Sequence, residues 1–241
     1  MKTKSFLHNL IEQNQFEHYF QPIFNLDDHS SIGGEFLLRT NIGSPDFIFN
    51  EAKKTNRLYD LDTKSIHKAL TSSHSINRMI TKEEVKLFIN VFPSTLINNT
   101  FPTFLHDIFT NFKESCQHII FEINETDTFD LHSLYERIKL LKEYGFSIAL
   151  DDVGKGWSSM QSIIDFKPNY IKLDRYFSKN LERSEIKQNM IKSMLSYCDD
   201  NNVDLVLEGI ENEDSLYTAR EIGVRLAQGY YLGMPEKINK K

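Results

Sequence analysis

Cysteine is scarce in this chain. The two present among 241 residues, Cys116 and Cys198, lie far apart and neither belongs to a CxxC pair, which excludes a disulfide framework and points to packing thiols in a reducing compartment. Long hydrophobic runs are also missing. No apolar stretch approaches the roughly 20 residues of a membrane span, and the first residues lack the positive-then-apolar pattern of a secretory leader. The expected location is therefore cytoplasmic, with no membrane association. Positive charge is in deficit, with 28 Lys and Arg against 34 Asp and Glu and a formal net charge of -6. Duplex DNA and RNA are excluded as partners on that ground, because duplex binders carry a basic face that displaces counterions. An anionic nucleotide would need a metal or local basic help. Proline-rich linkers, low-complexity segments and internal repeats are absent too, so no domain boundary is expected beyond a short N-terminal helix at 1–16 ahead of a single domain at 17–241.

What the chain does have is a recurrent punctuation. Five short apolar runs end in an acid or a carboxamide: KLFIN at Asn90, IIFE at Glu122, SIALDD at Asp151 and Asp152, YIKLD at Asp174, and LVLE at Glu208. Stretches with helical apolar spacing separate them. Alternating strands and helices build parallel sheets whose C-terminal edges point one way, so the polar terminators gather on one face, where α/β barrels keep their chemistry.

The opening departs from that order. Phe6, Leu7, Leu10 and Ile11 have the spacing of a short amphipathic helix, and HYFQPIFNL, the polar turn at 27–31 and SIGGEFLLRT read as a β-hairpin. Ser44, Pro45 and Asp46 spell a helix start, with helices expected to about Met79. From Val85 the order is regular: strands at 85–91, 118–123, 146–151, 169–174, 203–208 and 225–230, and helical regions at 93–113, 128–144, 158–166, 183–202 and 212–222. Gly145 and Gly223 sit where helices should stop.

Period-two alternation puts Glu35, Leu37 and Arg39 on one face of the hairpin strand, and Lys172 beside Asp174 with Ile171 and Leu173 turned outward. Glu35, Asn90, Glu122, Asp151 and Asp152 are hard oxygen donors, and none of the eight histidines ends a strand. Such a set selects Mg²⁺ or Mn²⁺ over zinc. Clustered carboxylates repel one another and raise their pKa values, a conflict that a divalent cation removes. Lys172 among acids is held charged, which disfavours a Schiff-base role and suits electrostatic stabilisation or orientation of a water; an ion pair with Asp174 is the plainer reading. Glu211 and Glu125 follow strand-end acids closely enough to be simple first-turn acids.

Taken in order, YFQPIF, GGEFLLR, FINVFP, FEINE, ALDDVGKGWSS, YIKLDRYF, LEGIE and QGYYLGMP resemble the successive motifs of the EAL-domain cyclic-di-GMP phosphodiesterases, from about residue 17 to residue 236. The resemblance implies a modified TIM-like (β/α) barrel with one antiparallel strand, and hydrolysis of cyclic-di-GMP to pGpG with two Mg²⁺ or Mn²⁺ ions. It implies Glu35, Asn90, Glu122 and Asp151 as first-metal ligands, Asp151 shared, and Asp152 at the second metal. Lys172 would hold the nucleophilic water and Glu208 would be the catalytic acid or base, supported by Glu211 and Gln228. Gln21 and Arg39 would contact substrate, and Glu125 would brace the DDVGKG loop. A homodimer formed through the region after that loop is also implied.

Five positions depart from the family pattern. Phe36 stands for alanine in the naming motif, on the opposite face from Glu35. Val153 and Lys155 stand for phenylalanine and threonine in the DDFGTG loop, Thr40 for tryptophan and Phe92 for serine. A catalytically weak cyclic-di-GMP receptor or protein-interaction module is the alternative these departures leave open, and another barrel enzyme acting on a phosphorylated metabolite is a third.

Overall fold

The computed structural model describes residues 2–76, 85–124, 130–155 and 160–238. After α1 (Lys2–Glu12) come the hairpin strands β1 (Glu17–Asn25) and β2 (Ser31–Arg39), then α2 (Pro45–Lys54) and α3 (Leu58–Ile76). The βα series follows as β3 (Lys86–Val91), α4 (Pro93–Leu96), α5 (Phe101–Phe112), β4 (Ile119–Asn124), α6 (Leu131–Glu143), β5 (Ser147–Val153), α7 (Met160–Phe166) and β6 (Tyr170–Leu173). It continues with α8 (Glu185–Asn201), β7 (Asp204–Leu207), α9 (Glu213–Glu221), β8 (Leu226–Ala227) and a short β9 (Glu236–Lys237).

Strands β2 to β8 pair in parallel in chain order, and β1 pairs antiparallel with both β2 and β8. Eight strands thus close a barrel in which one runs against the rest, as expected, and β9 adds to the outer part of β1. Closure needs β2 to approach its neighbours tightly. A side chain at Gly33, φ +152, would meet the Lys86 carbonyl oxygen at 1.9 Å, and one at Gly34 would meet the Gln21 carbonyl oxygen at 2.2 Å. Only glycine fits both positions, which explains the pair preceding Glu35.

Inside the barrel lies an apolar floor of Ile23, Phe88, Ile120, Ala149, Tyr170, Val206 and Leu226. The opposite strand faces carry branched and aromatic residues such as Ile89, Phe121, Ile148, Ile171 and Leu205 into the layer under the helices. Helix α1 buries Leu7, Leu10 and Ile11 with Phe16 against Leu38, Ile48, Ala52 and Leu61, so the N-terminal helix is packed on the outer shell. Cys116 and Cys198 are both buried thiols.

Local chemistry explains the element ends. Ser44 accepts from the Phe47 N–H with Pro45 at the first turn, capping α2. The helical region predicted from 93 to 113 divides in two because Asn98 Oδ1 accepts from the Thr100 N–H at 3.0 Å, an Asx turn that competes with helix continuation. The last strand is shorter than the predicted 225–230. Beyond Ala227 the chain bends under Ile210, whose backbone N and O would lie 2.2 Å from a side chain at Gly229. The predicted extension of helix α3 to Met79 lies outside the described residues past Ile76.

Candidate active site

The functional side chains stand one inward-facing layer above the apolar floor. Two residues beyond Phe88, Ile120, Ala149, Tyr170, Val206 and Leu226 come Asn90, Glu122, Asp151, Lys172, Glu208 and Gln228, the next positions on the same strand face. Strand β1 runs the other way, so Gln21 precedes Ile23 by two and faces Glu35 in the β1–β2 register. Glu35 reaches the same rim from β2.

Lys172 is at the centre. Its ammonium lies 2.6 Å from Glu122, 2.8 Å from Glu208, 3.1 Å from Glu35 and 3.2 Å from Asp151, and the side chain is almost wholly enclosed. Glu35 also accepts from Asn90 Nδ2 at 2.8 Å and from Gln228 Nε2 at 3.2 Å, and Asn90 Nδ2 reaches Glu122 at 3.2 Å. The expected pairing of Lys172 with Asp174 is not what the structure shows. Asp174 instead accepts from the Tyr176 N–H at 2.8 Å, because the strand ends at Leu173 and the chain turns there.

The charges do not balance. Four carboxylates face one ammonium, and a buried surplus of negative charge is costly. Burial and then the neighbouring Glu35 push the Glu122 carboxyl well above its ordinary range. Glu208 is pushed to about 8 by burial, against the pull of Lys172. Burial also raises Asp151, although Lys172 opposes it. For Glu35, burial is outweighed by Lys172, Asn90 and Gln228, and its pKa falls. Burial would discharge Lys172, but the surrounding carboxylates hold it charged, well above the usual range.

Consecutive strand residues point to opposite faces, so Asp151 and Asp152 share the rim only through an irregularity. The β5–β6 register shifts between Leu150 and Val153, and Asp152 takes φ 53, a bulge that turns the second acid back toward the mouth. Asp152 Oδ2 then accepts from Asn124 Nδ2 and from Lys155 Nζ, both at 2.9 Å. Among the described residues no three acid, His or Cys side chains already converge on a common point as ligands of one ion; the buried carboxylates are drawn to Lys172 instead. The donor set nevertheless suits a hard cation: it is all oxygen, in charge surplus, and Glu122 Oε1 touches the ammonium without a well-directed hydrogen bond. Asn90 would present Oδ1 after a half-turn of its amide.

Two cavities meet at this rim. One of about 530 Å³ is bordered by Glu35, Arg39, Asn90, Asn124, Phe49 and Phe92. The rings of Phe49 and Phe92 lie 4.9 Å apart, with the Lys53 ammonium 4.9 Å from the Phe92 centroid. The other, about 250 Å³, is bordered by Gln21, Asp152, Lys155, Glu208, Glu211 and Gln228. Of the sequence-predicted residues, buried Glu35, Glu122, Lys172 and Gln228 and half-buried Asn90, Asp151 and Glu208 form one cluster, while Gln21 donates to the Gly233 carbonyl at 3.1 Å. Arg39 donates to the Leu38 carbonyl at 2.9 Å and lies 5.9 Å from the Tyr19 ring centroid, away from the acids. Glu211 is exposed at the mouth. Glu125 falls outside the described residues. Phe36 is buried among Phe20 and His18 rings, 5.6 and 6.0 Å away, on the face opposite Glu35.

Sequence reasoning missed two residues. Asn124, which steadies Asp152, stands two positions after Glu122 on the same strand, and that spacing is its signal. Asp62 on α3 accepts from the Phe92 N–H at 3.0 Å behind the larger cavity, and nothing in its local sequence marks it.

The sequence matches the family described as the EAL domain over residues 5–235. It is 30% identical over 246 residues to cyclic di-GMP phosphodiesterase PdeA of Borreliella burgdorferi, covering 98% of this chain and 36% of that protein. The fold superposes on the EAL enzyme Bd1971 bound to cAMP and cyclic-di-GMP with a TM-score of 0.88 at 22% identity, covering 98% of this chain and 66% of that one. A manganese and cyclic-di-GMP complex of Klebsiella pneumoniae BlrP1 gives a TM-score of 0.80 at 23% identity, over 93% of this chain and 57% of that one. The chain therefore spans about a third of the length of PdeA.

Proposed function

The chain belongs to the EAL domain family, and on that premise we propose that it is a metal-dependent phosphodiesterase that hydrolyses cyclic-di-GMP to linear pGpG. The observation that carries the reading is the ring of Glu35, Glu122, Asp151 and Glu208 around Lys172, open to cavities large enough for a nucleotide. PdeA is named a cyclic di-GMP phosphodiesterase, and BlrP1 is described in complex with manganese and cyclic-di-GMP.

On this reading Glu35, Asn90, Glu122 and Asp151 would hold a first Mg²⁺ or Mn²⁺, and Asp152, with Asp151 shared, would hold a second. Two such cations would supply Lewis-acid chemistry, acidifying a bound water and neutralising the diester. Lys172 orients that water and stays charged throughout, offsetting negative charge that grows on phosphorus. Glu208, at the wall of the smaller cavity beside Lys172, would take the proton from the water. Gln228 and Glu35 are fixed to each other, and Glu211 lines the approach. Gln21 and Arg39 flank the two cavities and contact the nucleotide, whose bases fit against Phe49 and Phe92. Glu125 is assigned to bracing the loop after β5.

Exposed Leu131, Tyr135, Met160 and Ile164 on α6 and α7 support a homodimer through this face. Among the described residues no helix is long and apolar enough to cross a membrane. The second reading, a weak or inactive receptor, is favoured by one observation, the Lys155 ammonium seated on Asp152.

The deciding experiment incubates the purified protein with cyclic-di-GMP and Mn²⁺ and separates the nucleotides by chromatography. Metal-dependent pGpG is the expected product. Nucleotide binding without any product would overturn the enzymatic reading in favour of the receptor.

A further inference from the structure

The loop after β5 carries a lysine where the related motif has threonine, and that lysine has a defined position. Lys155 Nζ lies 2.9 Å from Asp152 Oδ2, the oxygen that also accepts from Asn124. The Lys155 side chain is 63% exposed and that of Asp152 22%. Asp152 is presented by a left-handed bulge and faces the 250 Å³ cavity beside Glu208 and Glu211. The ammonium thus stands on the open side of this carboxylate, in the direction from which a diffusible cation would arrive.

We infer that Lys155 is a tethered competitor for the second cation: it neutralises Asp152 when that cation is absent and lowers its affinity. The inference depends on Asp152 being a ligand in the reading above. The physical case is one of exchange. A cation binding Asp152 must break the Lys155 pair and also sit near the displaced ammonium, and both effects weaken binding. The ammonium side of the pair is solvated, so its loss changes affinity by only about twofold to fivefold. Screening shrinks the effect as salt rises. The first cation, none of whose ligands is paired with Lys155, is little affected. Second-site occupancy in this protein therefore demands a higher free metal concentration than the rest of the site would require.

The test is a Mn²⁺ titration without nucleotide, read as loss of the free-ion electron paramagnetic resonance signal, on wild type, Lys155→Gln, Asp152→Asn and the double variant. Wild type should show a tighter and a weaker class of site. Lys155→Gln should tighten the weaker class about twofold to fivefold at low salt and much less at high salt, leaving the tighter class little changed. Both proteins carrying Asp152→Asn should lack the weaker class. An unchanged or weakened second site in Lys155→Gln would overturn the role of Lys155 alone. Retention of both classes in Asp152→Asn, or no manganese binding by any of the four proteins, would overturn the metal assignment and the inference with it.

Discussion

Replacing Lys172 by methionine isolates the electrostatic problem at the centre of this barrel. The ammonium contacts four carboxylates at 2.6 to 3.2 Å, and at an effective dielectric of about 20 each pair carries on the order of 5 to 6 kcal/mol of gross attraction. Desolvation of the buried groups cancels most of that. What remains visible on removing one partner of a buried ionic cluster is about 3 to 5 kcal/mol, from charges left uncompensated. For a chain of this size the melting temperature should fall on the order of 10 °C. The assay is urea or thermal denaturation of wild type and Lys172→Met in chelator and in saturating Mn²⁺. With no neighbouring ammonium to repel it, the ion should bind the variant more tightly and restore more stability than it does in wild type. Lowering the pH should also help the variant more, since Glu122 and Glu208 are already inclined to hold protons. An undiminished stability in chelator, or a loss of equal size with and without manganese, would refute the charge-compensation argument.

Glu208→Gln keeps the shape of the site but removes the proposed proton acceptor, so kcat for cyclic-di-GMP should drop about 10²- to 10⁴-fold with little change in KM, measured by steady-state kinetics; unaltered kcat would assign the base elsewhere. Gly33→Ala should cost more than about 2 kcal/mol in equilibrium unfolding, because its Cβ would lie 1.9 Å from the Lys86 carbonyl oxygen at φ +152; a neutral substitution would contradict the close approach of β2 and β3. Burial pushes the Asp62 carboxyl up to about 7 from an ordinary 3.8. The folded state therefore binds the extra proton, and this group's stabilising contribution is complete below about pH 4 and is lost as pH rises through 7. The loss amounts to on the order of a few kcal/mol, and Asp62→Asn should flatten the pH dependence between about pH 4 and 7 in denaturation curves. An identical pH dependence in the two proteins would rule out a proton on Asp62.

Much of the site was legible because a strand has a period of two and a barrel has one catalytic rim. Asn90, Glu122, Asp151 and Glu208 were marked by their place after apolar runs, and the structure puts each one layer above the floor residue two positions earlier. Glu35 was legible through the same alternation on the hairpin, and so was the outward turn of Phe36. Other features depend on tertiary geometry that local sequence does not encode. The Lys172–Asp174 pair was inferred from spacing along one strand, whereas four acids from four other strands surround the ammonium. Asp152 reaches the rim only through a register shift at φ 53. Asp62 matters because a helix far along the chain packs behind Phe92, and Lys155 finds Asp152 because the bulge turns that acid toward it.

The central claim is that the acid ring is a divalent-cation site that cuts a cyclic dinucleotide. Its most direct test is the rate of pGpG formation from cyclic-di-GMP as free Mn²⁺ is raised from a chelated baseline. Turnover should be absent in chelator, rise saturably with Mn²⁺, and lose that rise in Glu122→Gln. A rate independent of metal, or full activity in Glu122→Gln, would contradict it.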